Sequence, residues 1–250
     1  MIEFVTASRW RITDPARFCK TRIAGDKLYP YSVFSDNRQG LAACYNEFIR
    51  KRRESFTVAG DIVVFMHDDV VIEDATLAEK LTEAMRHFDI VGLAGSSDFT
   101  ISEHSMWHHT PPWSRSGAVA HPNYGDLSRD PSNTIPESYD GVNQRGVASF
   151  GPMPKRCVVL DGLFLAVNFE KVFLEAGVTF DTMFDFHFYD LDFCLQAHDE
   201  GLRLGTWPIN AIHQSPGLRS LDNPGFVANR DRFKDKWGPE GTRYACKQSR

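Results

Sequence analysis

His67-Asp68-Asp69 follows the apolar run Ile62 to Met66 without a break. Such a run reads as a strand buried on both faces, and open α/β sheets bind ligands at the carboxyl ends of their strands. Three polar side chains therefore stand where a ligand would lie. Hard carboxylate oxygens there suit Mg²⁺ or Mn²⁺ bridging a diphosphate, because these ions keep positions open for substrate phosphates. The same Asp pair serves equally as a helix N-cap, and Glu73-Asp74 stand ahead of a helix pattern in the same way. A second group is Phe186-His187-Phe188-Tyr189-Asp190-Leu191-Asp192. A carboxylate at a helix N-terminus, flanked by aromatics, is placed to act as a general base on a hydroxyl such as a sugar's. The structural alternative is that Asp190 caps the helix and Asp192 answers its dipole. The third group is His213, closing the run Asn210-Ala211-Ile212. Alone it reads as structural; paired with a metal-binding Asp from the first half it becomes a ligand.

The elements that must position these residues alternate in kind. Ile2 to Thr6, Tyr31 to Phe34, Asp61 to Met66 and Ile90 to Ala94 read as strands, and Gly40 to Arg53 and Ala75 to His87 carry helical spacing. Alternating β and α implies a parallel sheet with helices on its faces. From Phe99 to Arg156 the texture turns to Pro, Gly, Ser, Asn, His and Trp, including Asp130-Pro131-Ser132-Asn133. This stretch reads as an active-site lid or acceptor-binding flap with short strands inside it. Order returns with strands at Val158 to Leu160 and Leu163 to Val167, around the turn Asp161-Gly162. A short helix from Phe169 to Ala176, a helix from Tyr189 ending at Gly201, and a strand at Arg203 to Trp207 follow, and the tail beyond Gly217 reads as polar and basic.

Composition narrows the classes. With 250 residues, 42% of them hydrophobic, the chain can bury a sizeable core, and a formal charge of −5 without long basic runs argues against nucleic acid. No apolar run approaches the roughly 20 residues that cross a bilayer, so no transmembrane segment is expected. The start, Met1-Ile2-Glu3-Phe4-Val5, carries neither a basic nor a long apolar leader, which predicts a cytoplasmic protein, with the basic tail from Arg243 to Arg250 a candidate for peripheral membrane contact. The five cysteines lack any CxxC spacing and read as free thiols.

In order, these pieces resemble the family 2-like glycosyltransferases of the GT-A fold, over the whole chain apart from the middle loop. The resemblance is carried by Phe65-Met66-His67-Asp68-Asp69, similar to that family's DXD-type motif; by Val91 to Ser96; by Leu160-Asp161-Gly162 with Phe164 to Val167; by His187 to Asp192; by His213; and by Gly40 to Asn46, with Asn46 at a characteristic asparagine. It implies one α/β domain, 1–250: a Rossmann-like, mainly parallel central sheet with helices on both faces and a small antiparallel portion. Residues 1–97 would be the nucleotide-binding half, 98–156 the lid insertion, and 157–250 the acceptor-binding and catalytic half. The implied activity is metal-dependent, inverting transfer of a sugar from a nucleotide donor, most simply a UDP-sugar, to a glycan, a lipid-linked acceptor or another hydroxyl.

Residue by residue, the resemblance implies that Thr6, Ala7, Ser8, Asp36 and Asn37 hold base and ribose, with Asn46 and His67 on the same nucleotide side. Asp68 would contact ribose or phosphate, Asp69 and His213 would bind Mn²⁺ or Mg²⁺, and Asp190 would be the base. Asp161, Gly162, Trp107 and Asp192 would line the acceptor pocket. His-Asp-Asp replaces the usual Asp-x-Asp, leaving the choice between Asp68 and Asp69 open, and Tyr189-Asp190 replaces a Glu-Asp pair, making Asp192 a rival base. Three other classes compete. His67, Asp69 and His213 form the pattern of a 2-His-1-carboxylate iron site, with Arg219-Ser220 near enough in sequence for a 2-oxoglutarate carboxylate, but that class requires a double-stranded β-helix. A nucleotidyltransferase needs a glycine-rich loop after the first strand, where Thr6 to Trp10 has none. A non-catalytic sugar- or nucleotide-binding domain would not need Asp69, Asp190 and His213 together.

Overall fold

A computed structural model describes residues 1–25, 28–54, 60–122, 145–215 and 221–246. Asp130 to Asn133, Pro216, Gly217, Arg219, Ser220 and the tail from Lys247 to Arg250 lie outside them.

The run Ile62–Met66 is strand β3, and all five of its residues are buried. It lies inside a seven-stranded sheet between β1 (Ile2–Ala7) and β12 (Phe164–Asn168). Beyond β1 lies β2 (Tyr31–Phe34), and beyond β12 come β5 (Ile90–Gly92), β13 (Leu204–Thr206) and β10 (Lys155–Cys157). β1 pairs in parallel with β2 and β3, and β13 with β5, whereas β12 and β10 run antiparallel to their neighbours. The architecture is therefore α/β with a mixed sheet. A second, six-stranded mixed sheet contains β4 (Val70–Ile72), β6 (Ala94–Ser96), β8 (Arg115–Pro122), β9 (Arg145–Gly151), β11 (Val159–Leu160) and β14 (Ala211–His213). β7 (Asp98–Thr100) pairs with β15 (Arg243–Ala245).

Helix α1 (Pro15–Arg22) is capped by the Asp14 side chain. Helix α2 (Leu41–Glu54) lays Leu41, Ala42, Tyr45, Phe48 and Ile49 on one buried face, the i, i+3, i+4 spacing of an amphipathic helix. Its entry is fixed by Gly40 at φ +89, where a Cβ would lie 2.6 Å from the Asp185 carbonyl oxygen. Tyr45 then meets Phe65 of β3 and Phe180, and Phe180 stacks on Phe193 at 4.3 Å. Each such aromatic pair contributes about 0.5–1.5 kcal/mol beyond its buried area. Helix α3 (Leu77–His87) starts where Asp74 accepts from both the amide and the hydroxyl of Thr76, so Asp74 is indeed a helix-end carboxylate. Asp68-Asp69 is not, because strand β4 rather than a helix follows it.

Three expectations are refined. The stretch from Phe99 to Arg156, expected to hold short strands, holds longer ones in its described parts: it supplies β8 and β9, paired antiparallel through a bulge at Gly117/Ala118, and most of β10. Small residues such as Ser116 and Ala118 pack that second sheet without the strong alternation that marks a strand. The short helix expected from Phe169 to Ala176 is present and winds as a π-helix, Glu170–Glu175. The polar tail contains helix α5 (Pro224–Trp237), capped by Asn223 with Pro at its first turn and anchored by buried Phe226, Asn229 and Phe233. No helix among the described residues is long and apolar enough to cross a membrane.

Candidate metal centre and active site

Strand direction explains why distant residues meet. β1, β2 and β3 end at one sheet edge, where Ser8, Asp36 and His67 emerge. Antiparallel β12 starts at that edge, with Phe164 opposite Met66 and the His67 amide donating to the Leu163 carbonyl at 3.0 Å. This brings the turn Asp161-Gly162 to the end of β3. Strand β14 runs antiparallel to β4 with His213 opposite Val70, and the Gln214 amide donates to the Asp69 carbonyl at 2.7 Å.

His67, Asp69 and His213 each offer a ligand atom, and these atoms lie within 4.8 Å of one another. His213 Nε2 comes to 3.3 Å from Asp69 Oδ1, yet both atoms are buried without a directed hydrogen bond. Buried polar atoms rarely stay unsatisfied, and two facing each other fit a ligand set that a cation would complete. Burial works to raise the Asp69 carboxyl, but the neighbouring imidazoles of His213 and His67 outweigh it and hold it at about 2. Burial lowers the basicity of His67. One carboxylate and two imidazoles form a donor set for a divalent ion. Asp68 stands apart: Ser8 Oγ donates to its Oδ2 at 2.5 Å, and burial and then Asp69 push its carboxyl up.

Tyr189 joins this centre to the candidate base. Its hydroxyl donates to the Gly162 carbonyl at 2.8 Å and lies 2.8 Å from His67 Nε2. A hydroxyl has one proton, so Nε2 carries the hydrogen and Nδ1 keeps the lone pair for a metal. The Gly162 amide in turn donates to Asp190 Oδ2 at 2.8 Å. Gly162 must be glycine, since a Cβ would overlap the Tyr189 hydroxyl and sit 2.7 Å from Asp190 Cβ. Burial first, and then the charge of Asp161, push the Asp190 carboxyl up to about 7, a value suited to a base near neutral pH. Asp190 lies in the first turn of α4 (Tyr189–Asp199), whose N-cap Phe188 is left-handed at φ 67. That conformation costs a non-glycine residue about 1–2 kcal/mol. The rings of Phe226 and Phe233 from α5 pack on Phe188 at 5.1 and 5.2 Å and lock it there.

Other expected site residues hold the frame instead of facing a ligand. Asp192 is fully buried and accepts from Gln196, Trp237 and Lys236 at 2.7–2.8 Å, so it is neither a base nor an acceptor contact. Two residues along a helix turn a side chain about 200° away, which separates it from Asp190. Asn46 clamps the backbone of Phe180, donating to its carbonyl at 2.6 Å and accepting from its amide at 3.1 Å. The amide expected on the nucleotide side is thus engaged by backbone. Asn46→Ala should cost about 2 kcal/mol at roughly 1 kcal/mol per hydrogen bond, read by urea denaturation, with UDP affinity of the folded variant unchanged. Thr6 Oγ1 is spent on the Met66 carbonyl and the Tyr31 hydroxyl, and Thr6, Ala7 and Ser8 are all buried, so their side chains shape the edge from behind. Asp36 and Asn37 do stand at that edge, Asp36 paired with Arg38. Trp107 is a buried wall, donating to Asp161 Oδ2 at 2.8 Å under Phe150.

Three residues near the site had no role assigned from the sequence. Trp10 lies two residues beyond Ser8 at the sheet edge, with the Arg9 guanidinium 4.8 Å from its ring. Phe186, 54% exposed, stacks on His67 at 6.1 Å, and His121 of β8 lies 5.7 Å from His213. Phe186 opened the aromatic run before Asp190 and offered a signal; Trp10 and His121 were single residues in loop-like text.

No protein-family model and no curated protein matches the chain. Among solved structures, A197 from STIV is similar over 86% of this chain and 85% of that one, with 12% identity and a TM-score of 0.42.

Proposed function

We propose that this chain is a metal-dependent inverting glycosyltransferase of GT-A type, taking a nucleotide sugar, with UDP the nucleotide of choice, and a hydroxyl acceptor. The observation that carries the reading is the hydrogen-bonded chain His67–Tyr189–Gly162–Asp190, which ties a His-Asp-His donor set to a half-buried carboxylate pushed up to about 7.

Asp190 takes the acceptor hydroxyl proton as the acceptor oxygen bonds to the anomeric carbon and the bond to the diphosphate oxygen breaks. The Gly162 amide fixes the orientation of the Asp190 carboxylate, and Trp107 holds Asp161 in the wall beside it. Mn²⁺ or Mg²⁺, held by His67, Asp69 and His213, would offset the charge developing on the leaving diphosphate. Ser8 steadies Asp68 where ribose or phosphate approaches.

The donor set itself also favours a second reading, a 2-His-1-carboxylate iron oxygenase. Against it stands the mixed α/β sheet, which is not a double-stranded β-helix. Calorimetric titration with UDP, with and without Mn²⁺, separates the two, using 2-oxoglutarate and Fe²⁺ without oxygen as the second arm. Mn²⁺-dependent UDP binding is the expected result. Binding in the iron arm alone would overturn the transferase reading.

A further inference from the structure

Arg22, the last residue of α1, is 6% exposed. Arg52, the other arginine buried to that degree among the described residues, meets Asp61 and Glu3. Arg22 forms no ion pair among the described residues: its Nη1 donates to Gln214 Oε1 at 3.0 Å, the Phe18 ring lies 4.7 Å from its guanidinium carbon, and its buried Nε has no partner. Two links fix it beside the metal centre. Gln214 follows His213 directly and its amide holds the Asp69 carbonyl, while the chain after Arg22 is pinned to β4 through the Ala24 amide and the Ile72 carbonyl at 2.8 Å. The charges of Asp68 and Asp69 reach the guanidinium.

The simplest role is counter-charge to those carboxylates, but a loaded site changes the balance. A divalent ion offsets Asp68 and Asp69 by itself, and the guanidinium is left as an uncompensated buried cation. Such a charge is costly unless an anion joins it. Nε and Nη2 form the edge of a guanidinium that binds phosphate oxygens in bidentate fashion, and Gln214 occupies only Nη1.

We propose that Arg22 is a diphosphate-binding residue, its unpartnered Nε edge receiving phosphate oxygens of the donor beside the metal. The nucleotide part of that statement rests on the glycosyltransferase reading; the anion part does not.

The test titrates the Mn²⁺-loaded protein with inorganic pyrophosphate, and the metal-free protein with Mn²⁺ alone. Arg22→Gln should weaken pyrophosphate at least tenfold while Mn²⁺ binds as tightly as before or tighter. Arg22→Lys, which keeps the charge and loses the fork, should fall between, and it carries the test if the Gln variant does not fold. Unchanged pyrophosphate affinity with tighter Mn²⁺ would reduce Arg22 to a counter-charge and overturn the proposal, as would a wild type that ignores pyrophosphate. Arg22-dependent pyrophosphate binding without any UDP binding would uphold this inference and sink the nucleotide donor.

Discussion

Asp190→Asn leaves Mn²⁺-dependent UDP binding in place and lowers kcat by about 10²–10⁴-fold, the usual contribution of a positioned general base. Asn preserves the shape and the acceptor oxygen that meets the Gly162 amide, so the loss is chemical and not structural. Wild-type kcat/KM should rise with pH and level off above about 7, because the base works only when ionised and its carboxyl is held up to about 7 by burial and by Asp161. Stability should run the other way. The carboxyl ionises near 3.8 when unfolded, so between about pH 4 and 7 the folded chain keeps a proton that the unfolded chain has lost. Stability from this group is full below pH 4 and is lost as pH rises through 7. Asp190→Asn lacks that loss and should melt above the wild type at pH 8, with the gap closing towards pH 4. Full transfer activity in the variant would remove Asp190 from the base role; equal melting temperatures at pH 8 would remove the burial argument.

How much of this was legible depends on what each residue had to signal. Ile62 to Met66 announced itself because a strand covered on both faces needs no polar residue, and the polar triplet after it marked the sheet edge. His213 was legible as a partner only through its place after a strand; the antiparallel register with Val70 is what sets it against Asp69. The backbone bonds of Asn46 and Thr6 were not legible, because a side chain that can bind a nucleotide can equally clamp backbone, and composition does not distinguish the two. The choice between Asp190 and Asp192 is set by helix geometry, but which face turns inward depends on Trp237 and Lys236 of a helix the tail did not advertise. Helix α5 hid because Phe226 and Phe233 are its main apolar anchors amid charges, even though Asn223-Pro224 spelled its start. Arg22 left no periodic trace, since a buried arginine in a helix pattern looks like a solvated one.

Asp69→Ala should reduce Mn²⁺ affinity by at least about 100-fold and remove the metal-dependent part of UDP binding, because changes even behind the ligands cost about 10–100-fold. Carboxylate removal takes away the charge that attracts the ion and leaves His67 and His213 as two neutral donors. Tyr189→Phe isolates the contribution behind the ligand: without the hydroxyl, His67 Nε2 has no partner to fix its tautomer, so Mn²⁺ affinity should fall by about tenfold or more. Ligand type also sets a preference order. Carboxylate-rich centres suit Mg²⁺, whereas imidazole suits later divalent ions, so Mn²⁺ and Co²⁺ should support UDP binding at lower concentration than Mg²⁺. Cobalt gives a readout independent of turnover: its visible absorption should appear on addition to the wild type and vanish in Asp69→Ala and His213→Ala. A spectrum that survives both substitutions would place the ion elsewhere and dissolve the link between the end of β3 and the end of β14 on which the site is built.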